Sequence, residues 1–180
     1  YDDVEVHKLR LAFEDITGRD LSIFFNQWFL NAGHPQIELT YQQVEGKTEV
    51  SIRQVQDLAK SSLFQLPITF EVASNGKTYQ KQFSIEDSVT VISIDEANPD
   101  YVFFNSTGDI LCEIISDERD QRSWKKQLEL GKGYYSQSQA CENLDFAQFT
   151  VTDLPLLEKL GLEKFWGSRQ LAMESMTDIS

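Results

Sequence analysis

Thr17-Gly18-Arg19-Asp20-Leu21-Ser22-Ile23-Phe24-Phe25-Asn26-Gln27-Trp28, closed by Gly33-His34-Pro35, is the stretch on which the fold turns. Leu21, Phe24, Phe25, Trp28 and Phe29 recur at the steps of a single apolar helix face. A helix is predicted over residues 20–30, with Asp20 as N-cap or first-turn acid and Gly33 and Pro35 as its stop. On the N-terminal side, Val6, Leu9, Phe13 and Ile16 predict a helix over 4–16 with one buried face. Thr17-Gly18 ends it, because glycine supplies the positive φ of a helix C-cap.

From residue 36 the apolar period becomes two. Ile37, Leu39 and Tyr41 alternate with polar residues, Gly46-Lys47 makes a turn, and 49–56 returns as the second arm of a hairpin. Leu66, Ile68, Phe70 and Val72 alternate in the same way, and Asn75-Gly76 predicts a tight hairpin with 77–84. Further strands are expected at 88–95, 101–104 and 109–115. Seven short strands at intervals of roughly ten residues predict an antiparallel β-sandwich. Pro67 belongs on an edge or at a first pairing position, since it has no N–H to donate.

After Ser116-Asp117 the β-branched residues thin out. Trp124 and Leu128, with Tyr134-Tyr135, mark a helical face interrupted by Gly131 and Gly133. A helix is expected over 138–146, carrying Ala140 and Leu144. Another is capped by Thr152-Asp153 and ended by Gly161; a last one, over 163–176, bears Phe165, Trp166, Leu171 and Met173. Helix pairs joined by short loops predict the opening of an α-solenoid. The chain thus divides into terminal helices (1–34), a β-sandwich (35–116) and a helical part (117–180). The fold class is mixed: a sandwich flanked by helices at both ends.

Hydrophobic residues make up 41% of the 180, enough for a core. No apolar run approaches the roughly 20 residues of a membrane span. The net charge of −13 argues against nucleic acid and anionic lipid as partners, which require clustered Lys and Arg. The chain opens on Tyr1 rather than Met, inside a helical pattern, as expected of a segment of a longer protein. A soluble protein of cytoplasm or periplasm fits, with the compartment open.

Motifs that carry chemistry are missing from the sequence. His7 and His34 are 27 residues apart, on a helix and in a loop, and form no His-Glu-x-x-His pair. His34 is expected to bond backbone. Cys112, in a strand-like apolar run, and Cys141, in a helix, are expected as two free, mostly buried thiols. Neither a glycine-rich phosphate loop nor a Gly-x-Ser-x-Gly elbow occurs. Adjacent carboxylates such as Glu14-Asp15 and Glu86-Asp87 follow from 29 acids in 180 residues. The acids of Asp95-Glu96-Ala97-Asn98-Pro99-Asp100 could hold a calcium ion, but lack the spacing of a dedicated loop. No residue is assigned a catalytic, cofactor-binding or metal-binding role.

The order of these parts resembles the end of the catalytic domain, the β-sandwich and the start of the helical domain of gluzincin zinc aminopeptidases, the alanyl and leucyl aminopeptidases and their bacterial relatives. The similarity rests on Thr17-Gly18, Asp20-Leu21, Phe24-Phe25, Trp28, Gly33 and Pro35. Val50-Ser51-Ile52-Arg53-Gln54 and Leu66-Pro67-Ile68 resemble the family's second and third sandwich strands, and Val102-Phe103-Phe104-Asn105 its strand ending in Asn. Phe165-Trp166-Gly167-Ser168-Arg169 resembles a repeated helix start of the helical domain. The resemblance implies a parent in which zinc polarises a scissile peptide carbonyl and activates water. The family's zinc ligands, catalytic Tyr and substrate loop have no counterpart here, so zinc is expected in the parent and none in this chain.

Two readings follow. In the first, the chain is a non-catalytic connector whose partners are an upstream catalytic domain and a downstream helical domain. In the second it is a scaffold or binding protein: a zinc-less homologue, or a stand-alone sandwich module offering Tyr41, Tyr79 and Tyr101 to carbohydrate. In either, Phe24, Phe25 and Trp28 are expected to be partly exposed or to be covered by self-association, because large apolar patches seldom stay open.

Overall fold

The computed structural model describes residues 5–177. Among them the first helix is α1 (Val6–Thr17), closed by Gly18 at φ 66° with its N–H donating to Glu14 O. A single α-turn, α2 (Ser22–Phe25), runs straight into a π-helical turn over Asn26–Leu30. Asp20 accepts from the Ser22 N–H at 2.8 Å, but the N-cap is Leu21, so the acid expected as N-cap or in the first turn stands one position ahead of the helix.

Seven strands follow: β1 (Gln36–Val44), β2 (Lys47–Gln54), β3 (Leu66–Ser74), β4 (Lys77–Ile85), β5 (Val89–Ile94), β6 (Tyr101–Phe103) and β7 (Glu113–Asp117). They form a four-stranded sheet in the order β5-β2-β1-β7 and a three-stranded sheet in the order β4-β3-β6. Both predicted hairpins form, β1–β2 and β3–β4. Each turns on two residues of positive φ, Glu45-Gly46 and Asn75-Gly76, whose twist matches that of the strands they join.

The alternating residues of the two sheets meet in a single cluster. Ile37, Leu39, Val50, Ile52, Ile92 and Ile94 come from the first sheet; Leu66, Ile68, Phe70, Val72, Ile85 and Val102 come from the second. Burying each such side chain contributes about 1.5–3 kcal/mol, so the two inner faces hold the sheets together. Buried amides tie the crossing between them. Gln54 Nε2 donates to Phe64 O at 2.8 Å, and its Oε1 accepts from Phe64 N at 2.9 Å. Gln27 makes the same two-point bond with the Gln65 backbone.

The helical part comprises α3 (Gln121–Leu130), α4 (Gly133–Asn143), a 3-10 turn over Phe146–Gln148, α5 (Leu154–Gly161) and α6 (Trp166–Thr177). Its core gathers Trp124, Leu128, Ala140, Leu157, Leu160 and Ala172.

Several expectations are corrected. The strands are not all antiparallel: β7 runs parallel to β1, with a register shift at Ile37/Glu38. Alternation reports which face a residue occupies and not the strand's direction. The strand expected over 109–115 begins at Glu113, so Cys112 lies in the preceding loop. Pro67 is the second residue of the central strand β3. Thr69 O and Ala73 O both accept from the β6 side, so the N–H that Pro67 lacks falls beyond the reach of that short strand. The helix expected over 138–146 begins earlier, at Gly133. The α1 stripe is uncovered among the described residues: Ile16 is 83% exposed and Phe13 47%. The last helix likewise buries Gly167, Ser168, Ala172 and Ser175, and leaves Trp166 and Met173 outside.

The helix over 20–30 divides its aromatics. Phe25 is buried, while Phe24 and Phe29 are half exposed. Asn31 N donates to Asn26 O, five residues back, at 2.9 Å. In that wider turn both Gln27 and Trp28 face the sheets, with Trp28 packed 5.3 Å from Phe64.

Candidate functional site

The site with the most built-in chemistry is the seam between sheets and helices. Asp117 ends β7 and Arg119 follows two residues later, before Asp120 caps α3 by accepting from the Ser123 N–H. The Arg119 guanidinium grips the Asp117 carboxylate through Nε at 3.0 Å and Nη2 at 2.8 Å, and both side chains are buried. Its Nη1 donates to Gln127 Oε1 at 2.6 Å, and Gln127 Nε2 donates to Ser136 O on α4 at 3.0 Å. The guanidinium lies 3.5 Å from the Trp124 ring centre. One side chain therefore ties the end of a strand to two helices, with a fork geometry that lysine could not supply.

Around this pin, Ala73, Tyr101 and Phe103 pack with Leu130. Phe103 meets Tyr135 at 5.5 Å. Tyr101 donates to Glu71 Oε1 at 2.6 Å. Burial, with Glu71 as acceptor, pushes the Tyr101 phenol up. Burial raises Tyr41 as well, against the pull of Arg119. Neither phenol ionises near neutral pH.

Beside the pin lies a cleft of about 720 Å³, lined by Phe103 and Phe104, the loop from Asn105 to Cys112, β7 and one side of α4. Asn105, at φ 50°, shapes the loop by donating to Ile110 O at 2.8 Å. The expected strand ending in Asn is thus a strand followed by a built turn.

The sequence-predicted residues do not assemble. His7 sits 3.0 Å from Glu5, and His34 pairs with the Glu113 side chain at 3.1 Å rather than with backbone. Gln36 and His34 together hold the Glu113 carboxyl below its usual range. Asp95 is bound to Lys47 at 2.7 Å, Asp100 lies 3.7 Å from Arg122, and Glu96 accepts from Ser74. Cations and a hydroxyl thus hold the acids of the calcium candidate. Among the described residues no three His, Cys, Asp or Glu converge on one point. Cys112 and Cys141 are free, and burial pushes both thiols up to about 11, away from nucleophilic use at neutral pH. Tyr101 is buried, and Tyr41 and Tyr79 are partly buried against the core.

Asp117, Arg119 and Gln127 were not singled out by pattern. The one local signal was the change of composition at Ser116-Asp117, which marks where such a pin would be needed.

No family model matches the chain, and no curated protein matches it. Among solved structures it is similar to Legionella pneumophila aminopeptidase A in complex with aspartic acid, with a TM-score of 0.70 at 12% identity. The match covers 88% of this chain and 20% of that one, so the chain spans about a fifth of that aminopeptidase's length. The likeness is one of fold. No helix among the described residues is long and apolar enough to cross a membrane.

Proposed function

We propose that this chain is the non-catalytic connecting segment of a gluzincin-type, zinc-dependent aminopeptidase that removes N-terminal residues from peptides. In this reading the chain has three parts: terminal helices of the catalytic domain (1–34), a β-sandwich (35–116) and the start of a HEAT-like helical domain (117–180). The observation that carries the reading is the fold likeness to a fifth of an aminopeptidase, over nearly the whole of this chain. The uncovered stripe of α1 together with Phe24 and Phe29 adds support, since such a face calls for a neighbour. The upstream catalytic domain is that neighbour, and in its absence a second copy of the chain takes its place.

The seam supplies the mechanism of a connector. A buried ion pair extended by Gln127 fixes the angle between sheets and helices, and a geometry fixed here is passed to whatever each end carries. Zinc, bound upstream, would provide the Lewis acid of peptide hydrolysis.

Metal analysis of the purified chain, run with sedimentation equilibrium, tests this. Zinc well below one per chain is expected, with concentration-dependent association that Phe13→Ser plus Phe24→Ser abolishes. One tightly bound zinc per chain, or a monomer at every concentration, would overturn the proposal.

A further inference from the structure

Both sheets end at the same cleft. β7 is the edge of the four-stranded sheet and β6 the edge of the three-stranded one, and residues of both line it. An open strand edge is a template for another strand, and proteins blunt it with short strands, charges, Pro, bulges or a covering element. β7 is short, holds Glu113 and Asp117 and is bulged at Ile115, yet it carries neither Lys nor Pro and leaves Ile114 and Ile115 37% and 45% exposed along the cleft. Leu111, just before it, is 74% exposed. Across the cleft stands α4, with Tyr135 and Glu142 on the facing wall. A strand edge opposed by a helix is the arrangement by which some domains take up an extended peptide as an added strand.

Charge narrows the occupant. The charged side chains lining the cleft are Asp109, Asp117, Arg119 and Glu142. Asp117 and Arg119 neutralise each other and Arg119 is further engaged by Gln127, which leaves two exposed carboxylates facing the space. The volume of about 720 Å³ is that of a site for a few residues rather than a domain.

We infer that this cleft binds an extended peptide segment that carries basic residues among apolar ones, laid along β7 as a further strand. The inference stands apart from the aminopeptidase reading, since it needs neither zinc nor a second domain.

The test uses a fluorescein-labelled hexapeptide of alternating Val and Lys, titrated into the whole chain by anisotropy, with amide NMR shifts to locate it. Saturable binding is expected, with the largest shifts at residues 111–117 and on α4. Asp109→Lys with Glu142→Lys should weaken it about tenfold or more. The Val/Glu counterpart should not saturate. Glu86→Lys with Glu174→Lys, the same change of charge far from the cleft, should leave the affinity unaltered. The melting temperature of each variant reports folding, and Asp109→Asn with Glu142→Gln repeats the test with the milder change. Failure to saturate, equal losses from both pairs of reversals, or shifts centred on α1 and residues 22–30 would overturn the inference.

Discussion

Arg119→Ala is expected to lower the unfolding free energy by about 3–5 kcal/mol, the cost of leaving one member of a buried ion pair without the other. The loss has two sources. The Asp117 carboxylate, buried beneath the guanidinium, is left without its bidentate donor. Gln127 Oε1, on a side chain with no exposure, loses the N–H that satisfies it. Urea denaturation followed by the fluorescence of Trp124, with Trp28 and Trp166 replaced by Phe, is the measurement, because Trp124 sits 3.5 Å from the guanidinium and reports the seam directly. The tryptophan signal should change ahead of the sheet signal in circular dichroism, as the helices come loose first. Replacing both partners, Asp117→Leu with Arg119→Met, should cost much less than Arg119→Ala, since an apolar pair leaves no unpaired charge. An Arg119→Ala protein as stable as the parent chain would remove the pin from the account.

Phe70→Ala should destabilise by a comparable amount, about 3–5 kcal/mol for an aromatic deleted from a closed core. Phe70 has no exposure and stands on the central strand β3. It meets Phe83 edge-on at 5.7 Å and Phe104 at 5.4 Å, so it joins β4 to the end of β6. Such pairs add about 0.5–1.5 kcal/mol each beyond the area they bury. Thermal melting checks the prediction, with Ile16→Ala as the contrast. Ile16 is 83% exposed on α1, and its loss should stay within about 0.5 kcal/mol. Equal effects of the two substitutions would mean that the two sheets do not share the core described here.

The local signals in the sequence were strong where one residue determines one conformation. Gly18 capped α1, Asn75-Gly76 turned β3 into β4, and the alternation of Ile37, Leu39, Val50 and Ile52 marked their inner face. It failed where the decision is made by a distant partner. The parallel pairing of β7 with β1 depends on how the chain returns after β6, which no period encodes. Ile110-Leu111-Cys112 is apolar enough for a strand, yet lines a cleft, because Asn105 captures the Ile110 carbonyl in a turn. The π-helical turn follows from Gln27 docking on Gln65 and Trp28 on Phe64, contacts that span more than thirty residues.

The candidate seam was legible only as a place. The break at Ser116-Asp117 announced a junction, but nothing local distinguishes Arg119 from the chain's surface arginines. Its role comes from the burial of Asp117 beside it and of Gln127 one helix over. The histidines show the converse. Their types drew attention, while their surroundings, single carboxylates on separate elements, give them no shared chemistry.

The most direct test of the connector account is the coding sequence on the N-terminal side of Tyr1. The account predicts a His-Glu-x-x-His motif there, followed by a second Glu, as the zinc site of a catalytic domain. A start codon just before Tyr1, or a domain with that motif missing, would contradict it and leave a scaffold or binding protein in its place.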